Sequence, residues 1–244
     1  GTKNVAVGYD ALSAVTTGGM NTAIGYECMQ HADPGATNNT AVGQGASAQL
    51  STGTYNVSLG NQAGSFITAG SKNTAVGGAA LIFNTIGDQN TATGYSALYA
   101  NTEGDYITAT GYEALKANTT GSQNTAVGVK ALATNTEGTE NTAVGYNAGY
   151  SVTTGSSNTF LGRAAGLLLT TGASNVIIGI DAAEEMTTAD GCTLVGGRAG
   201  FKNNAGNVTY IGGSAGKNVS GSEGTIVIGS QALESSSGQN PTGI

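Results

Sequence analysis

The chain has 244 residues, of which 41 are glycine and none is tryptophan, and it carries a formal charge of −7 with only 9% charged residues. That balance argues against a nucleic-acid binder, which needs a basic stripe, and no apolar run approaches the ~20 residues of a membrane-spanning helix. So much glycine, serine and threonine would suit a disordered linker, but the apolar residues recur in strict register, which disorder has no reason to keep.

From Asn4 onward a five-residue stretch, clearest as Asn141-Thr142-Ala143-Val144-Gly145, recurs fourteen times. Its closing glycines run from Gly8, Gly25 and Gly43 through Gly77 and Gly145 to Gly229, 17 residues apart except for one 18 and one 16. A fixed short period predicts a stacked solenoid with one rung per repeat. The expected fold is an all-β parallel β-solenoid, a single domain over 1–244. Gly1 shares a column with Gly18 and Gly121, and Ile244 falls where a fifteenth rung would begin. The chain therefore reads as a repeat segment of a longer or processed protein.

Within a rung, let the closing glycine be position zero. Position −4 is mostly asparagine (Asn21, Asn73, Asn141), predicted to turn a left-handed corner and to hydrogen-bond from rung to rung. Position −3 is β-branched, −2 is alanine in most early rungs, and −1 is Val, Ile or Leu except at Thr93 and Thr110. Those two threonines are expected to bond each other or the backbone. Successive strand residues point to opposite faces, so both faces of this strand are dry. One packs inside the solenoid; the other calls for a second copy of the chain. Glycine at +10 predicts a positive-φ corner, and each rung reads as two short strands and two corners.

Along the chain, His31 falls in an irregular turn with Asp33 and Pro34 and reads as a solvent residue rather than part of a catalytic set. Position +4 alternates between large (Met29, Leu81, Leu98, Leu115, Leu132) and small (Ser47, Gly64, Gly149), and it trades volume with position −2. Where both are small, Leu50, Phe66 and Tyr150 are the expected fillers. Most charges sit in or near the turns, as at Asp88, Glu103, Asp105, Glu137 and Glu140. From Phe160 the trade reverses, with Phe160 facing Gly166, so core packing is expected to change between 150 and 165.

Tyr26, Tyr95, Tyr112 and Tyr146 follow their rung glycines and form a ledge that could meet a glycan or merely shield a corner. Asp181, Glu184, Glu185 and Asp190 are the densest acidic group and the weak candidate for a Ca²⁺ site; the calcium-binding nonapeptide of other β-rolls is missing. No phosphate loop or cofactor motif is present. Cys28 and Cys192 lie almost ten rungs apart, over ~40 Å at the usual strand spacing, too far for a disulfide. The five Asn-x-Ser/Thr sequons are expected by chance in a chain so rich in Asn and Thr.

Runs such as Asn90-Thr91-Ala92-Thr93-Gly94-Tyr95 and Asn124-Thr125-Ala126-Val127-Gly128 resemble the 17-residue arrays of bacteriophage tail-fibre proteins and related bacterial surface proteins. Asn175-Val176-Ile177-Ile178-Gly179 is also similar to the head repeats of trimeric autotransporter adhesins, although the period here is longer. The resemblance implies a left-handed parallel β-roll, a homotrimer, on a virion tail fibre or, alternatively, a bacterial cell surface. It implies no enzyme and no cofactor. Partners would be other fibre or virion proteins and a host surface glycan or protein receptor, without nucleic acid or membrane insertion. Two other classes are an ice-binding solenoid using the threonine column, weakened by Val or Ile two residues on, and a polysaccharide-degrading tailspike, which needs paired carboxylates in a groove.

Overall fold

The computed structural model describes residues 1–32, 35–220 and 223–237; the Asp33–Pro34 turn and the rung expected at Ile244 lie outside them. Among the described residues the chain is an all-β parallel β-solenoid of about 13 turns without a helix. It falls into two compact units, residues 1–123 and 124–244.

In the first unit seven three-residue strands stack in parallel and in sequence order: β1 (Val5–Val7), β2 (Thr22–Ile24), β3 (Thr40–Val42), β4 (Val57–Leu59), β5 (Thr74–Val76), β6 (Thr91–Thr93) and β7 (Thr108–Thr110). Like pairs with like across the rungs, as in Thr74 with Thr91 and Ala75 with Ala92. The second unit repeats the plan with β8 (Thr125–Val127), β9 (Thr142–Val144), β10 (Thr159–Leu161), β11 (Val176–Ile178), β12 (Thr193–Val195), β13 (Thr209–Ile211) and β15 (Ile226–Ile228). Between and after its last strands lie β14 (Asn218–Ser220) and β16 (Ser235–Ser237), which pair with each other.

Among the described residues the rungs before β14 have one regular strand each, which corrects the expected two; a second strand side forms only where β14 pairs with β16. The opposite side is a chain of turns. In the fifth rung Ala80 N–H donates to Gly77 O at 3.3 Å and Asn84 N–H to Leu81 O at 3.4 Å, while Leu81 N–H reaches up to Ala97 O at 2.9 Å. Ala79 and Leu81 hold φ of 54° and 52° to make those turns. Leucine rarely adopts this left-handed region, yet Leu98, Leu115 and Leu132 do so at the same column. Buried packing of the side chain and a bond to the next rung hold it there.

The glycine columns also differ from expectation. The +10 glycines do not have positive φ; that conformation falls two residues later, at Lys72, Gln89 and Tyr106. Glycine is needed at +10 for space: a Cβ on Gly87 would sit 2.5 Å from Gly104 O and 2.9 Å from Asn101 Nδ2. The rung glycine needs both. Gly145 holds φ of 140°, and its Cβ would lie 2.7 Å from the carbonyl carbon of Gly162 in the next rung.

The core is built from positions −2, +3, +4 and +7. Ala75, Ala80, Leu81 and Asn84 are fully buried in the fifth rung, as are Ala92, Ala97, Leu98 and Asn101 in the sixth. Volume is traded as the sequence suggests. A Cβ on Gly166 would meet Phe160 Cδ1 at 2.6 Å, and one on Gly216 would meet Tyr210 Cδ2 at 2.5 Å. In the rungs that are small twice over Leu50, Ile67 and Val152 are buried at +7; Ile67 comes within 2.7 Å of where a Gly64 Cβ would stand, whereas Gly149 is crowded by Phe160 and Leu132 of the adjoining rungs. Leu50 was expected; Phe66 and Tyr150 do not fill the gap, because Phe66 is exposed and Tyr150 half-buried.

Two polar ladders run beside that core. In the −4 column each asparagine Oδ1 accepts the next rung's backbone N–H, as from Asn73 N to Asn56 at 2.9 Å and from Asn141 N to Asn124 at 2.9 Å. Each Nδ2 donates to a carbonyl 14 residues on, Asn73 to Gly87 at 2.8 Å and Asn141 to Gly155 at 2.8 Å. None of these asparagines has positive φ, so hydrogen bonding alone accounts for the column. A second ladder at +7 links Asn84, Asn101 and Asn118, with Asn101 Nδ2 2.6 Å from Asn84 Oδ1 and Asn118 Nδ2 2.8 Å from Asn101 Oδ1. Buried amides satisfied in this way avoid the desolvation penalty of an unpaired group.

Candidate functional site

The strand's outward side chains are those at −3, −1 and, past the glycine, +1. None of these positions is charged in the first unit, and only Arg163 is in the second. The −1 column is the apolar one. Ile24 is 39% exposed and Val144 37%, Leu161 reaches 46%, and Ile211 and Ile228 are similarly open. On the inward side Ala23, Ala143 and Phe160 are fully buried. The alternation is what a solenoid strand should show, except that its solvent side sets an apolar column at −1 beside the threonines of −3. Exposed apolar residues scattered singly need no explanation, but an aligned stripe does.

Threonine stands at both −3 and −1 only on β6 and β7, as Thr91 with Thr93 and Thr108 with Thr110. Thr93 and Thr110 do not bond each other: among the described residues neither hydroxyl has a hydrogen-bond partner in its own chain.

The tyrosines at +1 pair along the stack. Tyr95 and Tyr112 lie 5.8 Å apart at 13°, and Tyr9 and Tyr26 5.5 Å apart at 12°. Each ring thus turns one face to its neighbour, and a sugar lying flat on a paired ring finds that face occupied. Tyr146 stands exposed in the second unit. Hydrogen bonding with Glu27 raises the Tyr26 phenol above its ordinary value. A separate aromatic row, Phe66, Phe83 and Tyr99, crosses the turn side with centroids 5.3 and 5.1 Å apart; of these only Phe66 was expected to take part in packing, and in the core.

The acidic group is divided among different partners. Asp181 takes Arg163 at 2.6 and 2.9 Å and lies 3.9 Å from Arg198. Glu185 pairs with Lys202 at 3.2 Å, and Asp190 accepts the Ala173 N–H at 2.7 Å. Burial, then the nearby Asp181 charge, raises Glu184. Among the described residues no group of three or more His, Cys, Asp or Glu is placed to hold a metal ion. These side chains brace successive rungs instead.

His31 is exposed, and its backbone N–H donates to Ala48 O at 2.9 Å. Cys28 and Cys192 are free and buried; burial pushes the Cys28 thiol up to about 11, which keeps it protonated and unreactive at neutral pH. Among the described residues no helix is long and apolar enough to cross a membrane.

No protein-family model matches the sequence, and no curated protein is found similar to it. The functional reading therefore rests on the repeat and on the outward strand face.

Proposed function

We propose that this chain is a non-enzymatic structural and attachment segment, a left-handed β-solenoid that assembles as a homotrimer in an extracellular fibre of the phage tail-fibre kind. It spaces, or carries, contact with a host-cell surface. The observation that carries this reading is the uncharged outward strand face with its apolar −1 column.

Area supports a second copy as the occupant. Seven strands at ~4.8 Å, each presenting four residues of ~3.3 Å, give each unit a face of roughly 400 Å². A face of that size on each unit is a substantial share of the ~800 Å² that a stable specific interface buries per partner. Periodicity supports it as well, because another chain with the same rung spacing meets the stripe side chain for side chain. Three parallel copies around one axis satisfy this with closed symmetry. The resemblance to tail-fibre arrays and adhesin heads supplies the handedness and the setting.

Antibody raised against the chain, imaged by electron microscopy on virions and on cell envelopes, tests the assignment. Labelled fibres on virions are expected. Labelling of cell envelopes alone would move the protein to the bacterial adhesin reading, and absence from any filament would remove the fibre role.

A further inference from the structure

We infer that Thr93 and Thr110 set the register in which copies of the chain align, by placing one polar layer in an otherwise self-similar apolar stripe. This rests on the association of outward strand faces proposed above. The −1 column is Val, Ile or Leu on every other strand that carries the repeat. Copies sliding past each other by one rung, ~4.8 Å, would find one aliphatic side chain where another had been. Apolar packing within this column therefore distinguishes poorly between registers.

Threonine has nearly the shape of valine, so the break is chemical and not steric. Thr93 is half-buried and Thr110 exposed in the single chain, and neither hydroxyl is spent on an intrachain bond. With copies aligned, the Thr93 hydroxyls meet one another around the axis and the Thr110 hydroxyls do the same one rung on. After a one-rung slip, Thr93 of one copy lies beside Val76 of its neighbour with its hydroxyl buried and unpartnered, an expensive arrangement. A buried polar position fixes register in coiled coils by the same logic. Tyr95 and Tyr112, two residues on from Thr93 and Thr110, stack on each other at the adjoining corner.

The test uses isoleucine-methyl NMR with light scattering on the whole chain. Ile24, Ile178, Ile211 and Ile228 lie in the −1 column away from the substitutions, and each should give one signal in an aligned, symmetric assembly. In the Thr93→Val/Thr110→Val variant the assembly should persist while these signals split, because slipped registers break the symmetry. Thr93→Ser/Thr110→Ser should keep single signals. Single signals in the valine variant, or loss of its assembly, would overturn the register role while leaving self-association standing. A monomeric wild-type chain would instead overturn the association and the register role together.

Discussion

The middle of the first unit and the late rungs of the second fill the same compartment from opposite sides. In β5 to β7 the strand gives alanine, the turn side gives Leu81, Leu98 and Leu115, and an asparagine ladder at Asn84, Asn101 and Asn118 closes the corner. In β10 to β13 the strand gives Phe160, Ile177, Leu194 and Tyr210, and the turn side shrinks to Gly166, Ala183, Gly200 and Gly216. There Leu169 and Met186 take the corner. The backbone at +4 is the same in both, with φ of 52° at Leu81 and 63° at Gly166. Glycine at Gly166 thus answers a shortage of space and not a demand for a left-handed residue. What the rung specifies is total volume, and either side may not exceed what the other leaves.

The contrast breaks most severely at Phe160. Replacing it with alanine should destabilise by about 4 kcal/mol, the usual range for emptying a buried aromatic site, as measured by chemical denaturation. Gly166→Leu should cost about 3 kcal/mol through collision with the same ring. Combining the two should recover most of the loss and convert the rung to the first unit's arrangement. An additive double variant would refute the shared compartment.

A smaller effect is expected at Asn101. It donates to Asn84 Oδ1 at 2.6 Å and to Gly104 O at 3.0 Å, and it accepts from Asn118 at 2.8 Å. Asn101→Ala should cost about 2 kcal/mol, because buried partners are left unpaired on two rungs.

The smallest effect should be a gain. Among the described residues the fully buried Tyr210 hydroxyl has no partner. Tyr210→Phe should therefore stabilise by about 1 kcal/mol at neutral pH. Burial pushes the Tyr210 phenol up to about 12 from 10.0. Its folded-state pKa is raised, so its contribution is fully present below pH 10 and is lost as pH rises towards 12, where the unfolded chain ionises first. The phenylalanine variant should lack that part of the alkaline decline.

The repeat made the rung, the strand and the −4 asparagine column legible, because each recurs at a fixed offset. It also exposed the trade between Phe160 and Gly166. The turn side was not legible. A rule that alternates faces every second residue has no place for Ala79 and Leu81 both at positive φ, and leucine gives no warning of that conformation. Leu50 apart, the +7 column escaped for a related reason: it passes from aliphatic Ile67 to the amide of Asn84 and back to Val152, united by burial alone. Their link to +4 is visible once the turn brings the two together. The ladder of threonine hydroxyls, in which Thr85 Oγ1 reaches Thr102 O at 2.9 Å, was hidden in what looked like solvent turn. In contrast, the outward stripe at −1 was readable from Val, Ile and Leu alone, since strand alternation does hold there.

Light scattering of the purified chain tests most directly whether a second copy covers that stripe. The chain mass is 23.9 kDa. The prediction is an assembly of about three times that mass which falls to the single-chain value in a Val144→Glu/Leu161→Glu variant that keeps its folded circular dichroism. A wild-type chain that is folded and runs at 23.9 kDa would contradict it.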